Sequence, residues 1–159
     1  MNDVELARAV RLREEGRHEE ARELLVALAK RHPDDAEVAY QAAWVHDSLG
    51  LEAEAVPHYE RALAGQGLDA AHRLGAFTGL GSTFRGLGRV GEALETFERG
   101  LREFPGDAGL RTFMAMALHN AGRSGEAVAT LLKVVAESDK GGAYRRAIEY
   151  YADNLDETV

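Results

Sequence analysis

The sequence predicts an all-α protein built as an array of helical hairpins, and three observations carry that prediction. A glycine break followed by a Glu-Ala pair occurs four times, as Gly16…Glu20-Ala21, Gly50…Glu54-Ala55, Gly88…Glu92-Ala93 and Gly122…Glu126-Ala127. Successive alanines of these pairs lie 34, 38 and 34 residues apart, a near-fixed period that marks stacked helical repeats rather than a closed globular core. The third observation is composition: 45% hydrophobic and 29% charged residues over 159 positions is an ordinary balance for one folded domain. There is no cysteine, so neither a disulfide nor a thiolate zinc site can staple the chain, and stability has to come from packing.

Taken in order, residues from about Asp3 to Glu15 read as a helix with Val4, Leu6, Ala7 and Val10 apolar, ended by the Gly16 turn. A second helix from about His18 to Arg31 places Ala21, Leu24, Leu25, Leu28 and Ala29 on one stripe at helical spacing. His32-Pro33-Asp34-Asp35 then stops one helix and starts the next, because proline cannot extend the first and aspartate can cap the second. The leading helix of the second unit, about Ala36–Leu49, is apolar on two faces. Ala39, Ala42, Ala43 and His46 form one stripe, while Tyr40, Trp44 and Ser48 lie on another side.

After Gly50 a helix is expected to Ala64, with Pro57 either in its first turn or so, or at a kink. Here the period stretches from 34 to 38, and four extra residues are close to one helical turn, so the third leading helix, about Ala70–Leu87, should be one turn longer with Asp69 as its cap. Its glycines each cost about 1 kcal/mol relative to alanine in a helix interior, so something should offset them. Gly75, Gly79 and Ser82 fall at i, i+4, i+7, and they either form a smooth strip that admits a partner backbone or only reflect a glycine-rich composition. Pro105-Gly106-Asp107 is the next stop-and-cap signal. In the fourth unit Met114, Ala115, Leu118 and Ala121 read as buried, followed by a helix opened by Ser124 with Ala127, Leu131, Val134 and Val135 inward. A last helix to about Asp153, with Ala143, Tyr144, Ala147, Ile148 and Tyr151 on one face, is what the end of a solenoid needs to cover it.

The stretch Leu80–Pro105 carries the fullest version of the unit: Leu80-Gly81, Phe84, Gly88, Ala93, Phe97 and Pro105. These residues resemble the tetratricopeptide repeat family, whose unit is a pair of antiparallel helices. The other units match at Gly16, Ala21, Leu25, Leu28 and Pro33, at Ala43, Gly50, Ala55, Tyr59 and Ala62, and at Ala115, Leu118, Gly122, Ala127 and Leu131. Gly67 and Asp139 stand where the family has its terminal proline. The resemblance implies a right-handed α-solenoid of four hairpins plus a C-terminal capping helix, similar to short stand-alone bacterial repeat proteins. The expected division of the single domain, 1–159, is repeats at about 2–35, 36–69, 70–107 and 108–141, a cap at about 142–154 and an acidic tail at 155–159. In this family Gly81 accommodates the close approach of its partner helix.

The family's leading helices line a concave groove. The candidates for that groove are Tyr40, Gln41, Trp44, Asp47 and Ser48 in the second unit, Thr78, Ser82 and Arg85 in the third, and Thr112, Phe113, Met116, His119 and Asn120 in the fourth. Trp44 either faces the groove or packs against the neighbouring repeat. No lysine is among them, so the clamp of lysines and asparagines by which this family grips a terminal carboxylate is not expected. Tyr40, Trp44, Phe113 and Met116 instead suggest an apolar strip flanked by Asp47 and Arg85, suited to a helix or extended peptide. The second unit holds Glu37, Asp47, Glu52, Glu54, Glu60 and Asp69 against Arg61, which points to a partner with basic residues beside an apolar anchor.

Other chemistries are weighed against this. Gly86-Leu87-Gly88-Arg89-Val90-Gly91 fits G-x-G-x-x-G but follows a helix rather than a strand, so it is not read as a nucleotide loop. The six histidines show no ligand spacing, apart from a pairing of His46 with His58 that hairpin closure could produce. A net charge of −8 argues against nucleic acid or an anionic membrane as partner. No window approaches the roughly 20 apolar residues of a membrane span, and Met1–Glu5 lacks the features of a signal peptide, so a cytoplasmic location is expected. The expected function is a non-enzymatic protein-interaction module or scaffold with no cofactor or metal. Its rival is a self-association module that forms a homodimer and has no foreign ligand.

Overall fold

The computed structural model describes residues 3–154; the acidic tail expected at 155–159 and the side chain of Tyr151 lie outside the described residues. Among the described residues nine α-helices follow one another: α1 (Asp3–Glu14), α2 (His18–Arg31), α3 (Ala36–Ser48), α4 (Glu52–Ala64), α5 (Ala70–Gly86), α6 (Val90–Glu103), α7 (Ala108–Asn120), α8 (Ser124–Glu137) and α9 (Arg145–Asp153), the last preceded by a 3-10 turn at Gly142–Tyr144. Among the described residues there is no strand. Each helix packs on the next in sequence, and the leading helices also touch one another, α3 on α5 and α5 on α7. That pattern is an all-α repeat array, in which every hairpin rests on its neighbours.

The hairpin turns are identical in their hydrogen bonding. Gly16, Gly50, Gly88 and Gly122 all take the left-handed conformation, with φ between 69° and 78°. At the first, Gly16 N donates to Arg13 O at 3.0 Å and Arg17 N to Leu12 O at 2.9 Å, and the same pair of bonds recurs at Leu51, Arg89 and Arg123. This is the Schellman closure, which satisfies the last carbonyls of the leading helix and needs a residue tolerant of positive φ. In three turns the following arginine also clamps the glutamate of the repeated Glu-Ala pair: Arg17 to Glu20, Arg89 to Glu92 and Arg123 to Glu126. The between-hairpin junctions use aspartate caps instead. Asp35, Asp69 and Asp107 accept from Val38 N, His72 N and Leu110 N, each a bond of the kind that contributes about 1 kcal/mol.

The inserted turn lies where expected. Helix α5 has 17 residues against 13 in α3 and in α7, so the four extra residues lengthen it without turning its buried face. The main core runs through α3 to α7 and includes Ala43, Tyr59, Phe77, Leu80, Phe84, Ala93, Phe97 and Leu110. A second core joins α1 and α2 to α3 through Ala9, Leu12, Leu25, Leu28, Val38, Ala42 and Val45. Helix α3 therefore serves two cores, with Ala39 and Ala43 facing one and Ala42 the other.

Several expectations are corrected. In α1 the buried face is Ala9, Leu12 and Arg13, not Val4, Ala7 and Val10; a short helix with scattered apolar residues offers two stripes, and α2 and α3 select the one carrying Arg13. Pro57 sits six residues into α4, and the helix runs through it; the carbonyl of Ala53, which loses its donor, is on the exposed side. Ser124 is the first residue of α8 and does not cap it. In α7 Leu110 and Ala117 are buried while Ala121 is exposed, and in α8 Leu131 and Val135 are exposed. The terminal helix buries Ala152 and half-buries Ile148, leaving Ala147 and Tyr144 in solvent.

Candidate functional site

The leading helices α3, α5 and α7 lie side by side and leave a cleft of about 650 Å³ between them. Tyr40 and Trp44 of α3, Leu74, Thr78 and Ser82 of α5 and Phe113 of α7 line it, with Tyr59 of α4 at its floor. Trp44 is 39% exposed, so a large apolar group faces solvent at the wall. Its other ring face is not in the core either: the guanidinium of Arg13 lies 3.5 Å from the ring centroid, and Tyr40 packs at 5.8 Å. Arg13 is itself only 8% exposed, its Nε has no hydrogen-bond partner, and burial holds its pKa below the usual value. A desolvated cation over an indole is a favourable contact in which the ring replaces lost water.

The thirteen candidates do not form one surface. Tyr40, Trp44, Thr78, Ser82 and Phe113 share the first cleft. Arg85, Met116, His119 and Asn120 instead line a second cleft of about 340 Å³, completed by Ala127, Val128 and Leu131 of α8. Gln41, Asp47, Ser48 and Thr112 line neither. Gln41 is buried and donates to Glu37, whose other oxygen meets His72 Nδ1 at 2.8 Å. Ser48, Thr78 and Thr112 each donate back to the carbonyl four residues earlier, an intrahelical bond that leaves their hydroxyls little else to offer as donors.

Asp47 points between helices rather than outward. Its carboxylate accepts from Tyr59 Oη and from Thr83 Oγ1, tying α3 to α4 and α5. Burial pushes its pKa up, against the lowering effect of those two donors. Burial likewise raises the tyrosine hydroxyls, that of Tyr59 further through Asp47 and that of Tyr40 through Glu37, so both stay protonated. The acids of the second unit nearest the cleft are thus spent on internal bonds.

The glycine strip of α5 is also filled from inside. A Cβ at Gly75 would collide with Tyr40 Oη, and one at Gly79 with the hydroxyl and ring of Tyr59. These glycines are sockets for two aromatic side chains, which accounts for their place in the helix, and both also line the cleft. Gly81 behaves as expected, since a Cβ there would strike Phe97 of the paired helix. His46 and His58 do come together, with rings stacked at 5.0 Å and His46 Nδ1 donating to Ala42 O. No third carboxylate or imidazole joins them among the described residues, and stacked rings do not converge on an ion.

Sequence reasoning missed Leu74, Tyr59, Val128 and Leu131 as cleft residues, and Arg13 as the group behind Trp44. For Arg13 there was a local signal, because it lies one turn beyond Ala9 on the face that α2 and α3 cover. For the others the signal is tertiary. Among the described residues no helix is long and apolar enough to cross a membrane.

Hairpins that stack on their neighbours and open a side of leading helices define a helical-repeat interaction module. The chain belongs to the tetratricopeptide repeat family: the family model described as "Tetratrico peptide repeat" matches residues 36–155. Among solved structures it is similar to MamA, with 18% identity and a TM-score of 0.75 over 99% of this chain and 78% of that one. It is similar also to YrrB, titled a TPR protein with an unusual peptide-binding site, at 22% identity and a TM-score of 0.72 over 96% and 76% of the two chains. A kinesin light chain repeat protein of Podosopora anserina aligns at 26% identity and a TM-score of 0.68 over 97% and 87%. The MamA and YrrB likenesses bear on fold alone. No curated protein matches significantly in sequence.

Proposed function

We propose that this protein is a non-enzymatic interaction module that binds an extended peptide or a helix of a partner protein in the cleft between α3, α5 and α7. The observation that carries the reading is Trp44, exposed at the wall of a 650 Å³ opening and braced by Arg13 and Tyr40 rather than sunk in the core. Large aromatic groups held rigid beside a cleft are the usual anchors of an interface, because they bury much area while losing little side-chain freedom. Peptide binding by YrrB, which shares this fold, supports the reading by analogy. Selection here rests on apolar contacts with Tyr40, Trp44 and Phe113; Glu37 and Asp47 are bonded internally, so they act on a basic partner through their charge rather than by direct bonds.

Trp44 is the single tryptophan of the chain, so its emission reports on the cleft directly. A displayed peptide library selected against the intact protein should yield apolar-anchored peptides that shift Trp44 emission on binding. Trp44→Ala should weaken those peptides by about 2 kcal/mol or more while the fold persists. Peptides that bind with unchanged emission and equal affinity for the alanine variant would overturn the proposal. A dimer mass in scattering, with Trp44 quenched on dilution-sensitive association, would instead favour the homodimer.

A further inference from the structure

The second cleft is an unfinished copy of a contact that the molecule completes elsewhere. By the 34-residue offset of the repeat, Leu131 of α8 occupies the position of Phe97 in α6. Phe97 is fully buried, within the core that α7 closes with Leu110 and Ala117. Leu131 is 39% exposed and Val128 45%, with Met116 beside them. The reason is the placement of the last helix: α9 packs along α8 but makes little contact with α7, whereas α7 rests on both α6 and α5. An apolar recess is left open between the end of α7 and the first half of α8.

One rim of this recess carries charge of a single sign. Arg85 reaches it from α5, bonded through Nη1 to Asn120 Oδ1 at 3.1 Å, while its Nε is buried without a partner. Arg73, Arg89, Arg111 and Arg123 all hold carboxylates, but among the described residues no ion pair reaches Arg85. His119 lines the same rim, bonded to Ser124 Oγ, and among the described residues no acidic one lines the recess. An apolar floor beside a guanidinium whose one side-chain partner among the described residues is an amide is complementary to a side chain that is apolar next to one that is anionic.

We propose that this recess is a second binding site, separate from the Trp44 cleft, which takes a leucine- or methionine-sized side chain of a partner peptide and pairs the acidic side chain next to it with Arg85. Its volume admits one such side chain with part of the adjoining backbone. The acid is a side-chain carboxylate, so the site works within a chain and does not require a free end.

The test uses the intact protein with methyl-labelled methionine, leucine and valine and a short synthetic probe, acetyl-Gly-Ala-Leu-Glu-Ala-Gly-amide, whose only anion is its glutamate. Saturable shifts of the Met116, Val128 and Leu131 methyl groups, with the Trp44 indole unmoved, are the expected result. Replacing the probe's glutamate by glutamine should weaken binding about tenfold, the size of one charge-assisted bond, and Arg85→Gln should erase that difference. Val128→Glu, at an exposed position, should repel the probe without lowering the melting temperature. Absence of shifts at millimolar probe, equal binding of the two probes, or shifts confined to Trp44 would overturn the site. So would methyl shifts that follow protein concentration alone, which would mean that a second copy covers the recess.

Discussion

Tyr59 donates its hydroxyl proton to the carboxylate of Asp47 at 2.6 Å, across the turn that joins α3 to α4, and Thr83 of α5 donates to the same carboxylate at 2.9 Å. One acid thus gathers three helices under the cleft. Removing it as Asp47→Ala should leave two hydroxyls without their acceptor and cost about 1–3 kcal/mol. Asp47→Asn keeps an acceptor and should cost less. The charge itself is a burden at neutral pH, because burial raises the folded-state pKa above its ordinary 3.8. The folded protein therefore binds that proton more tightly than the unfolded chain, and this contribution to stability rises as pH falls between the folded and unfolded pKa values. Urea midpoints of wild type and Asp47→Asn, measured from neutral pH downward, should shift in favour of wild type; parallel curves would refute the buried-charge account.

Arg13 and Trp44 join α1, which lies outside the family match, to the first helix within it. The stack holds the indole at the cleft wall, so Arg13→Ala should loosen it as well as remove a cation–π contact of about 0.5–2 kcal/mol. Arg13→Met retains the packing of the stem and should cost less, since a buried guanidinium whose carboxylate contact is Glu14 at 4.0 Å still carries a desolvation penalty. Emission from Trp44 should move to longer wavelength in the alanine variant. Unchanged emission together with unchanged stability would mean that the stack does not position the ring.

The helices were legible in the sequence because their punctuation is local. Gly16, Gly50, Gly88 and Gly122 close turns within six residues, and Asp35, Asp69 and Asp107 cap within three, so both signals survive without knowledge of the fold. The aromatic face of α3 could be read from the spacing of Tyr40 and Trp44. What that face touches could not. Tyr40 Oη lies over Gly75, 35 positions away, and Asp47 bonds Thr83, 36 away; nothing in the periodicity of α3 distinguishes an acid aimed at solvent from one aimed at the next hairpin. The opening of the second cleft has the same origin, since it depends on α9 packing on α8 rather than over α7.

His58 gives the opposite acid response to Asp47. Its imidazole is half-buried with Nδ1 unpartnered, and burial, then His46, then Arg61, lower its pKa from 6.5 to about 4. The unfolded chain takes up a proton near 6.5 and the folded protein only near 4, so stability is lost as pH falls through that window. His58→Leu leaves no buried donor unmet and should flatten the loss. A variant whose stability falls as steeply as wild type between about pH 6.5 and 4 would assign the acid sensitivity to other groups.

Gly75 and Gly79 distinguish sockets from an open track by a pair of rescue experiments. In an open helix Gly→Ala should stabilise by about 1 kcal/mol, and at Gly91, where an added Cβ meets nothing within 4 Å, it should do so. At Gly75 and Gly79 the same change should destabilise instead, by about 1–3 kcal/mol as overpacking. The two sites differ in what the methyl strikes. At Gly75 only the Tyr40 hydroxyl is within 3 Å, with Cζ at 3.2 Å, so Tyr40→Phe should restore Gly75→Ala to near or above wild-type stability. At Gly79 the ring carbons Cζ and Cε1 of Tyr59 stand at 2.5 and 2.8 Å, and Tyr59→Phe should not rescue Gly79→Ala. Thermal melts of the seven single and double variants decide the matter. Stabilisation by alanine at all three glycines would mean that the tyrosines can move aside, and that the strip is free to receive a partner's backbone.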